Sequence, residues 1–199
     1  MPGSRRVATI PNAISLARLA CIPWFLWLLL SEDRPVAAAV LLAVLGASDW
    51  VDGWIARRFD QASEVGKVLD PTADRVLLVA AAVALIVDGR VPLWVGWVVL
   101  GREAVISVAV LALAAAGARR IDVQWAGKAG TLALMFALPG FLLVDALGDS
   151  LGRTLLLVGT WCFTIGGLGL SYWAAGMYVP LARRALSEGR AARAAEVAR

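Results

Sequence analysis

The chain has 199 residues, of which 60% are hydrophobic and 17% charged, with a net charge of +4 and a mean hydropathy of +0.76. Soluble domains typically have about 45–50% apolar and about 25% charged residues, so this composition indicates a membrane protein and excludes disordered, collagen-like and small disulfide-rich classes. The absence of histidine excludes His-dependent nucleophile systems and HExxH zinc sites, and two cysteines cannot form a four-thiolate metal site.

Six apolar segments follow one another along the chain, each close to the roughly 20 residues that a helix needs to cross a bilayer. They cover residues 13–30, 36–56, 70–88, 92–117, 128–147 and 152–178. Gly, Pro and charged residues separate them, for example in 31–35 and 88–92. The sequence therefore predicts an all-α polytopic membrane protein with six transmembrane helices in one domain, 1–182, and a basic cytoplasmic tail, 183–199.

The basic residues predict the orientation. With six spans, both termini and the loops near 57–69 and 118–128 share one side, which carries thirteen Lys and Arg. The other side carries three, namely Arg34, Arg90 and Arg153. Because cytoplasmic loops are enriched in Lys and Arg, we expect both termini in the cytoplasm and the protein in the cell (inner or plasma) membrane. The net positive charge then reflects topology and attraction to anionic membrane lipids, not binding of nucleic acid.

Four aspartates interrupt the second and third segments, where a charge costs at least about 2.5–3.5 kcal/mol on insertion scales. Asp49 and Asp52 are three residues apart, and Asp70 and Asp74 are four apart, so each pair shares a helix face. The short link between the two segments lets the pairs face each other near the cytoplasmic surface. Converging carboxylates need neutralising, and without histidine the natural neutralisers are oxygen-bound Mg²⁺, Mn²⁺ or Ca²⁺.

The residues between these aspartates suit a phosphate substrate. Two metal ions about 3.5–4 Å apart can clamp a phosphoryl group with its entering and leaving oxygens. Gly53 and Ala56 leave room for close approach, and Arg57 can grip phosphate with its planar guanidinium. The alternative is a set of Asp–Arg pairs at a helix end. Four aspartates at these spacings, with Gly, Ala and Arg interleaved, favour the metal and phosphate site.

The pattern Asp49-x-x-Asp52-Gly53-x-x-Ala56-Arg57, then eight residues and Gly66-x-x-x-Asp70-x-x-x-Asp74, resembles the signature of the CDP-alcohol phosphotransferase family at every defined position. The resemblance extends over nearly the whole chain, because the family core also has six transmembrane helices with the signature on the second and third. It implies a phosphatidyltransferase of phospholipid synthesis. In such an enzyme an acceptor hydroxyl attacks the β-phosphorus of CDP-diacylglycerol, and CMP leaves.

The resemblance also implies roles for individual residues. Asp49, Asp52, Asp70 and Asp74 are the implied ligands of two Mg²⁺ ions, with Mn²⁺ as an alternative, and Asp74 is also the implied catalytic base. The implied CDP-diacylglycerol contacts are Pro11, Asn12, Gly53, Ala56, Arg57, Ser63 and Gly66. A homodimer is expected on the same ground.

The sequence 70–74 (Asp-Pro-x-x-Asp) and the opening at 11–12 resemble the glycerol-acceptor branch of the family. That branch contains phosphatidylglycerophosphate synthases and the cardiolipin synthases that use CDP-diacylglycerol. In it, Arg102 and Lys128 are the implied acceptor-binding residues. A structural interpretation stays open for both, Arg102 as part of an intramembrane charge pair and Lys128 as a snorkelling lysine at a helix end.

Two positions bear on the choice of acceptor. Phosphatidylglycerophosphate synthases usually carry a further Arg and Lys where this chain has Val110 and Gly130, and the segment 161–172 is more similar to cardiolipin synthases. The resemblance therefore favours phosphatidylglycerol as acceptor, with glycerol 3-phosphate as the alternative. A small ion-coupled transporter is the alternative from another class. It predicts inverted repeats and broken helices near the midplane, neither of which the sequence shows.

Overall fold

The computed structural model describes residues 9–58, 66–115 and 125–197, without the side chains of 49, 50, 52–54, 56, 57, 67, 68, 71, 109–115 and 178–197. Within these ranges the chain forms six long helices and no strand, which confirms the all-α prediction. The helices are α1 (Ile10–Leu30), α2 (Pro35–Arg58), α3 (Gly66–Val87), α4 (Leu93–Ala115), α5 (Trp125–Val144) and α6 (Leu151–Val197), with a short 3-10 turn at Asp145–Leu147.

The helices coincide with the six apolar segments but several extend past them into polar sequence. α1 begins at Ile10, where Thr9 Oγ1 accepts a hydrogen bond from the Asn12 amide at 3.4 Å. α2 and α3 continue through the signature on both sides of 59–65, which lies outside the described residues. α6 runs on through the Ala-, Arg- and Glu-rich tail, since these residues are strong helix formers. Hydropathy marks the part of a helix that suits lipid, whereas the backbone hydrogen bonds continue beyond it.

Three helical segments in the described residues are long and apolar enough to cross a membrane: α1, Trp125–Leu147 and Leu151–Met177. Pro35–Ser48 is a shorter apolar stretch. Large apolar side chains cover the outer surface, with Trp97 and Ile165 65% and 63% exposed. Such a surface is stable in lipid rather than in water, so the chain is a membrane protein.

The position of α1 organises the signature helices. α1 packs against both α2 and α3, which contact each other much less, while α5 packs against α6 and α2, and α4 against α3. The shared core contains large buried side chains from five helices, Phe25, Leu42, Leu78, Val95 and Leu142. α1 therefore lies between α2 and α3, the two helices that carry the four aspartates.

Glycines bring α5 and α6 into close contact. A Cβ built on Gly130 would lie 2.3 Å from Ser171 Oγ and 2.8 Å from the carbonyl oxygen of Gly167. A Cβ on Gly140 would likewise lie 2.3 Å from Thr160 Oγ1. These positions accept no larger side chain unless one helix moves away from the other.

At the end of the bundle opposite to the signature, Arg90 joins three connecting segments. Its Nη2 lies 3.3 Å from Asp33 Oδ1 and its Nη1 lies 3.3 Å from Asp145 Oδ2, and its Nε donates to Asp88. The Arg90 side chain is 19% exposed. One cation thus ties the α1–α2, α3–α4 and α5–α6 connections together.

We expect Arg90→Gln to lower the unfolding midpoint by about 2–4 °C, the equivalent of about 1 kcal/mol, because three ion pairs are lost together. Scanning fluorimetry of the purified protein in detergent measures this shift. Arg34→Gln is the matched control, since Arg34 is 68% exposed and 4.0 Å from Glu32, and it is expected to leave the midpoint unchanged. Equal shifts in the two variants would contradict a specific contribution from Arg90.

Candidate active site

The four signature aspartates lie on the two helices that flank α1. Asp49 and Asp52 fall in α2, and Asp70 and Asp74 fall in α3, each pair about one helical turn apart, as the sequence predicts. The structure describes the backbone but not the side chains at several predicted site positions, Asp49, Asp52, Gly53, Ala56 and Arg57, and Ser63 lies wholly outside the described residues. The described geometry of the site therefore comes from α1, α3 and Ser48 of α2.

Asp70 and Asp74 are the predicted metal ligands whose side chains are described, with exposures of 35% and 20%. Their carboxylates are of the type that binds hard cations such as Mg²⁺. Among the described side chains, no three Asp, Glu, His or Cys form a metal-binding group. The side chains of the other two predicted ligands, Asp49 and Asp52 on α2, are not among those described. Asp70 and Asp74 therefore fit the predicted metal but do not by themselves complete its coordination.

A buried arginine on α1 contacts both of these aspartates. Arg18 has a fully buried side chain whose Nη1 pairs with Asp74 Oδ1 and lies 3.9 Å from Asp70 Oδ1. Its Nε donates to Ser48 Oγ at 3.2 Å, and Ser48 in turn donates to the Leu45 carbonyl oxygen at 2.6 Å. A single guanidinium thus connects α1 to α2 and α3 beside the signature.

Polar residues continue along the same face of α1. Ser15 is 1% exposed, and its Oγ lies 3.0 Å from Asp70 Oδ1 and 3.1 Å from the Pro11 carbonyl oxygen. Asn12 is 4% exposed and precedes Ser15 by three residues. Of the predicted nucleotide contacts, Pro11 and Asn12 therefore lie on the helix that contacts Asp70, and Gly66 begins the helix that carries it.

Neither Arg18 nor the two serines is among the site residues predicted from the sequence. The signal for Arg18 is present, because a charge within an apolar segment is a functional candidate in its own right. Ser15 lies three residues before Arg18 and therefore on the same helix face. Ser48 has no comparable signal, because its contact with Arg18 depends on how α1 packs against α2.

The two predicted acceptor residues lie near the start of α5. Arg102, on α4, is 5% exposed, forms an ion pair with Glu103, and donates from Nη2 to Thr131 Oγ1 at 2.9 Å. The same Nη2 lies 3.5 Å from the carbonyl oxygen of Gly127, the residue before Lys128. Lys128 is exposed. The structure therefore brings Arg102 to the backbone next to Lys128.

Comparison with known proteins gives a consistent result over most of the chain. The family model described as CDP-alcohol phosphatidyltransferase matches residues 8–173. A Streptomyces coelicolor protein named cardiolipin synthase (CMP-forming) is 42% identical, over 90% of this chain and 85% of its own length. A Mycobacterium tuberculosis protein named putative cardiolipin synthase is 36% identical over 87% and 82%. The Haemophilus influenzae CDP-diacylglycerol–glycerol-3-phosphate 3-phosphatidyltransferase is 37% identical over 67% and 75%.

Proposed function

Because this chain belongs to the CDP-alcohol phosphatidyltransferase family, we propose that it transfers the phosphatidyl group of CDP-diacylglycerol to phosphatidylglycerol, forming cardiolipin and releasing CMP. The main support for this reaction class is the complete family signature, which lies on α2 and α3, the two helices that pack against α1. Two of its aspartates, Asp70 and Asp74, lie beside the guanidinium of Arg18. The identity to the S. coelicolor cardiolipin synthase supports the acceptor.

The proposed reaction exchanges one P–O bond for another at the β-phosphorus of CDP-diacylglycerol. A hydroxyl oxygen of phosphatidylglycerol attacks this phosphorus, and the bond from the phosphorus to the bridging oxygen breaks. CMP leaves with the electron pair of that bond. Asp74 takes the proton of the attacking hydroxyl, and its 20% exposure leaves the carboxylate accessible to a substrate.

The family depends on divalent metals, and we assign two Mg²⁺ ions, with Mn²⁺ as an alternative, to Asp49, Asp52, Asp70 and Asp74. The oxygen donors fit a hard cation, and no histidine is available to compete. When bound, these ions neutralise the diphosphate and the charge that develops on the transferred phosphoryl group. The four carboxylates otherwise repel one another, so their helical placement is consistent with a bound cation.

The nucleotide end of CDP-diacylglycerol is assigned to α1, the end of α2 and the start of α3. Gly53 and Ala56 allow the diphosphate to approach the α2 backbone, and Arg57 pairs with phosphate. The complete set of proposed contacts is Pro11, Asn12, Gly53, Ala56, Arg57, Ser63 and Gly66. The contact between Ser15 and Asp70 supports this assignment, because it places the start of α1 beside a proposed metal ligand.

The acceptor is assigned to the α4–α5 region through Arg102 and Lys128. A second cation at position 130 would favour a doubly charged phosphate acceptor, but Gly130 packs against the α6 backbone with no room for a lysine. The absence of a cation at position 130 favours phosphatidylglycerol. Glycerol 3-phosphate is the second candidate, since the 37% identical H. influenzae relative is named for that acceptor.

The proposed topology has all six helices crossing the cell membrane, with both termini and the active site in the cytoplasm. The three spans that meet the length and apolarity criteria support this, as does the excess of basic residues on the signature side. Residues 1–182 form the catalytic domain, and the basic tail 183–199, which is helical as far as Val197, contacts anionic lipid headgroups. We also propose a homodimer, as the family resemblance implies.

A panel of acceptors tests the proposed function. Purified protein in nanodiscs is supplied with CDP-diacylglycerol and Mg²⁺, and with either phosphatidylglycerol or glycerol 3-phosphate, while CMP and lipid products are followed by mass spectrometry. We expect cardiolipin from phosphatidylglycerol. Turnover with glycerol 3-phosphate alone would overturn the acceptor assignment, and no CMP release with either acceptor would overturn the proposed reaction.

The close packing of α5 against α6 is tested by Gly130→Ala. The new methyl group meets both Ser171 Oγ and the Gly167 backbone, so we expect a loss of about 1–3 kcal/mol in the free energy of unfolding. Gly166→Ala is the matched control on α6, because a Cβ there meets nothing within 4 Å. Thermal unfolding in detergent compares the two, and a Gly130→Ala midpoint at or above that of Gly166→Ala would contradict the close packing.

A further inference from the structure

We propose that Arg18 is a positioning residue, which orients the carboxylates of Asp70 and Asp74 for metal binding and fastens α1 to both signature helices. The inference rests on the proposed function of these aspartates as metal ligands. It concerns a residue outside the family signature as matched in this chain. It is supported by the position of the Arg18 guanidinium, which is fully buried and has partners on both α2 and α3.

The Arg18 side chain is buried as a charged group. A guanidinium remains charged in proteins, and burying it without a countercharge costs several kcal/mol. Arg18 meets this requirement with Asp74 and, at 3.9 Å, with Asp70. Because each partner is also a proposed metal ligand, the stability of the α1–α3 contact and the orientation of the ligands are coupled.

The contacts of Arg18 also fix the direction in which its guanidinium points. The guanidinium is planar, so fixing one of its nitrogens restricts the directions of the others. Nε is fixed by Ser48 Oγ, which is itself held by the Leu45 carbonyl oxygen. Nη1 is then directed at the Oδ1 atoms of Asp70 and Asp74. Ser15 adds a second contact from α1 to the same Oδ1 of Asp70.

Arg18 also changes the net charge beside the aspartates. The four signature aspartates and Arg18 together carry a formal charge of −3, from four negative charges and one positive charge. Arg18 thereby reduces repulsion between the carboxylates of Asp70 and Asp74, which it contacts, when they are not neutralised by metal. Groups that hold metal ligands in orientation typically change metal affinity or activity by about 10–100-fold when removed.

The test compares Arg18→Gln and Arg18→Lys with wild type, using Mn²⁺ binding measured by electron paramagnetic resonance in nanodiscs. We expect Arg18→Gln to bind Mn²⁺ about 10-fold or more weakly and to lower kcat more than it raises KM for CDP-diacylglycerol. Arg18→Lys is expected to restore part of the Mn²⁺ affinity, because it keeps the charge but loses the planar fork.

Arg90→Gln is the matched control, because Arg90 also joins three parts of the chain through ion pairs but lies at the opposite end. It is expected to reduce thermal stability and leave Mn²⁺ affinity unchanged. If Arg18→Gln also lowers thermal stability but leaves Mn²⁺ affinity unchanged, the positioning role is overturned and Arg18 contributes to stability alone. If wild type shows no metal-dependent CMP release, the proposed function fails instead.

Ser48→Ala keeps the test decisive if Arg18→Gln does not fold. This variant removes the acceptor that fixes Nε and leaves the charge of Arg18 in place. We expect weaker Mn²⁺ binding than in wild type, with a smaller change than the loss of Arg18 would produce. Mn²⁺ affinity equal to that of wild type would overturn the proposal.

Discussion

Asp74→Asn is expected to release CMP about 10²–10⁴-fold more slowly than wild type while still binding CDP-diacylglycerol. Asparagine has nearly the same size and shape as aspartate but carries no charge, so it neither takes the proton of the attacking hydroxyl nor neutralises a cation. Initial rates of CMP release measure the effect. Stabilisation of the protein by CDP-diacylglycerol, in scanning fluorimetry, measures substrate binding separately.

The matched control is Asp88→Asn, which removes a carboxylate of similar exposure, 16%, at the opposite end of the bundle. It is expected to retain activity. Turnover by Asp74→Asn within tenfold of wild type would contradict both the base and the ligand role. Loss of CDP-diacylglycerol binding together with turnover would assign Asp74 to substrate binding rather than to proton transfer.

Removal of divalent metal is the second change that we expect to have a large effect on activity. With excess EDTA, we expect the rate of CMP release to fall at least about 10³-fold, because bound ions contribute several kcal/mol and each 1.36 kcal/mol corresponds to a factor of ten. Addition of Mg²⁺ or Mn²⁺ in excess of the chelator is expected to restore the rate. The measurement is CMP release before and after the addition.

Loss of activity in EDTA must be separated from loss of the fold. Because the core between α1, α2 and α3 is apolar, we expect cooperative unfolding to persist in EDTA, with a lower midpoint that rises again with Mn²⁺. Asp70→Asn is expected to lose activity that added Mn²⁺ does not recover. A rate unaffected by chelation would overturn the assignment of all four aspartates to metal.

The helices could be predicted well because hydropathy and breaker residues are local properties of the chain. The apolar segments 13–30 and 128–147 correspond to α1 and α5, although the structure begins both helices three residues earlier, at Ile10 and Trp125. The ends are less predictable, because capping by Thr9 and the helix propensity of polar residues extend the hydrogen-bonded backbone past the lipid-compatible segment.

The aspartates of the site can be predicted from the sequence, because their spacing along the chain identifies them. Asp70 and Asp74 are recognisable because a carboxylate in an apolar segment is costly and their separation matches one helical turn. The partners of these residues were less predictable. Ser15 and Ser48 are ordinary helix residues by sequence, and each acquires its role from a neighbour on another helix.

The sequence by itself determined the helical class, the order of the helices and the acidic signature, because each follows from composition, hydropathy or spacing within a single segment. The tertiary structure alone decided that α1 separates α2 from α3, that Arg18 meets Asp74, and that Gly130 is closed off by α6. These features depend on which helix faces meet. That choice is made by the packing of the whole apolar core, to which residues far apart in the chain contribute together.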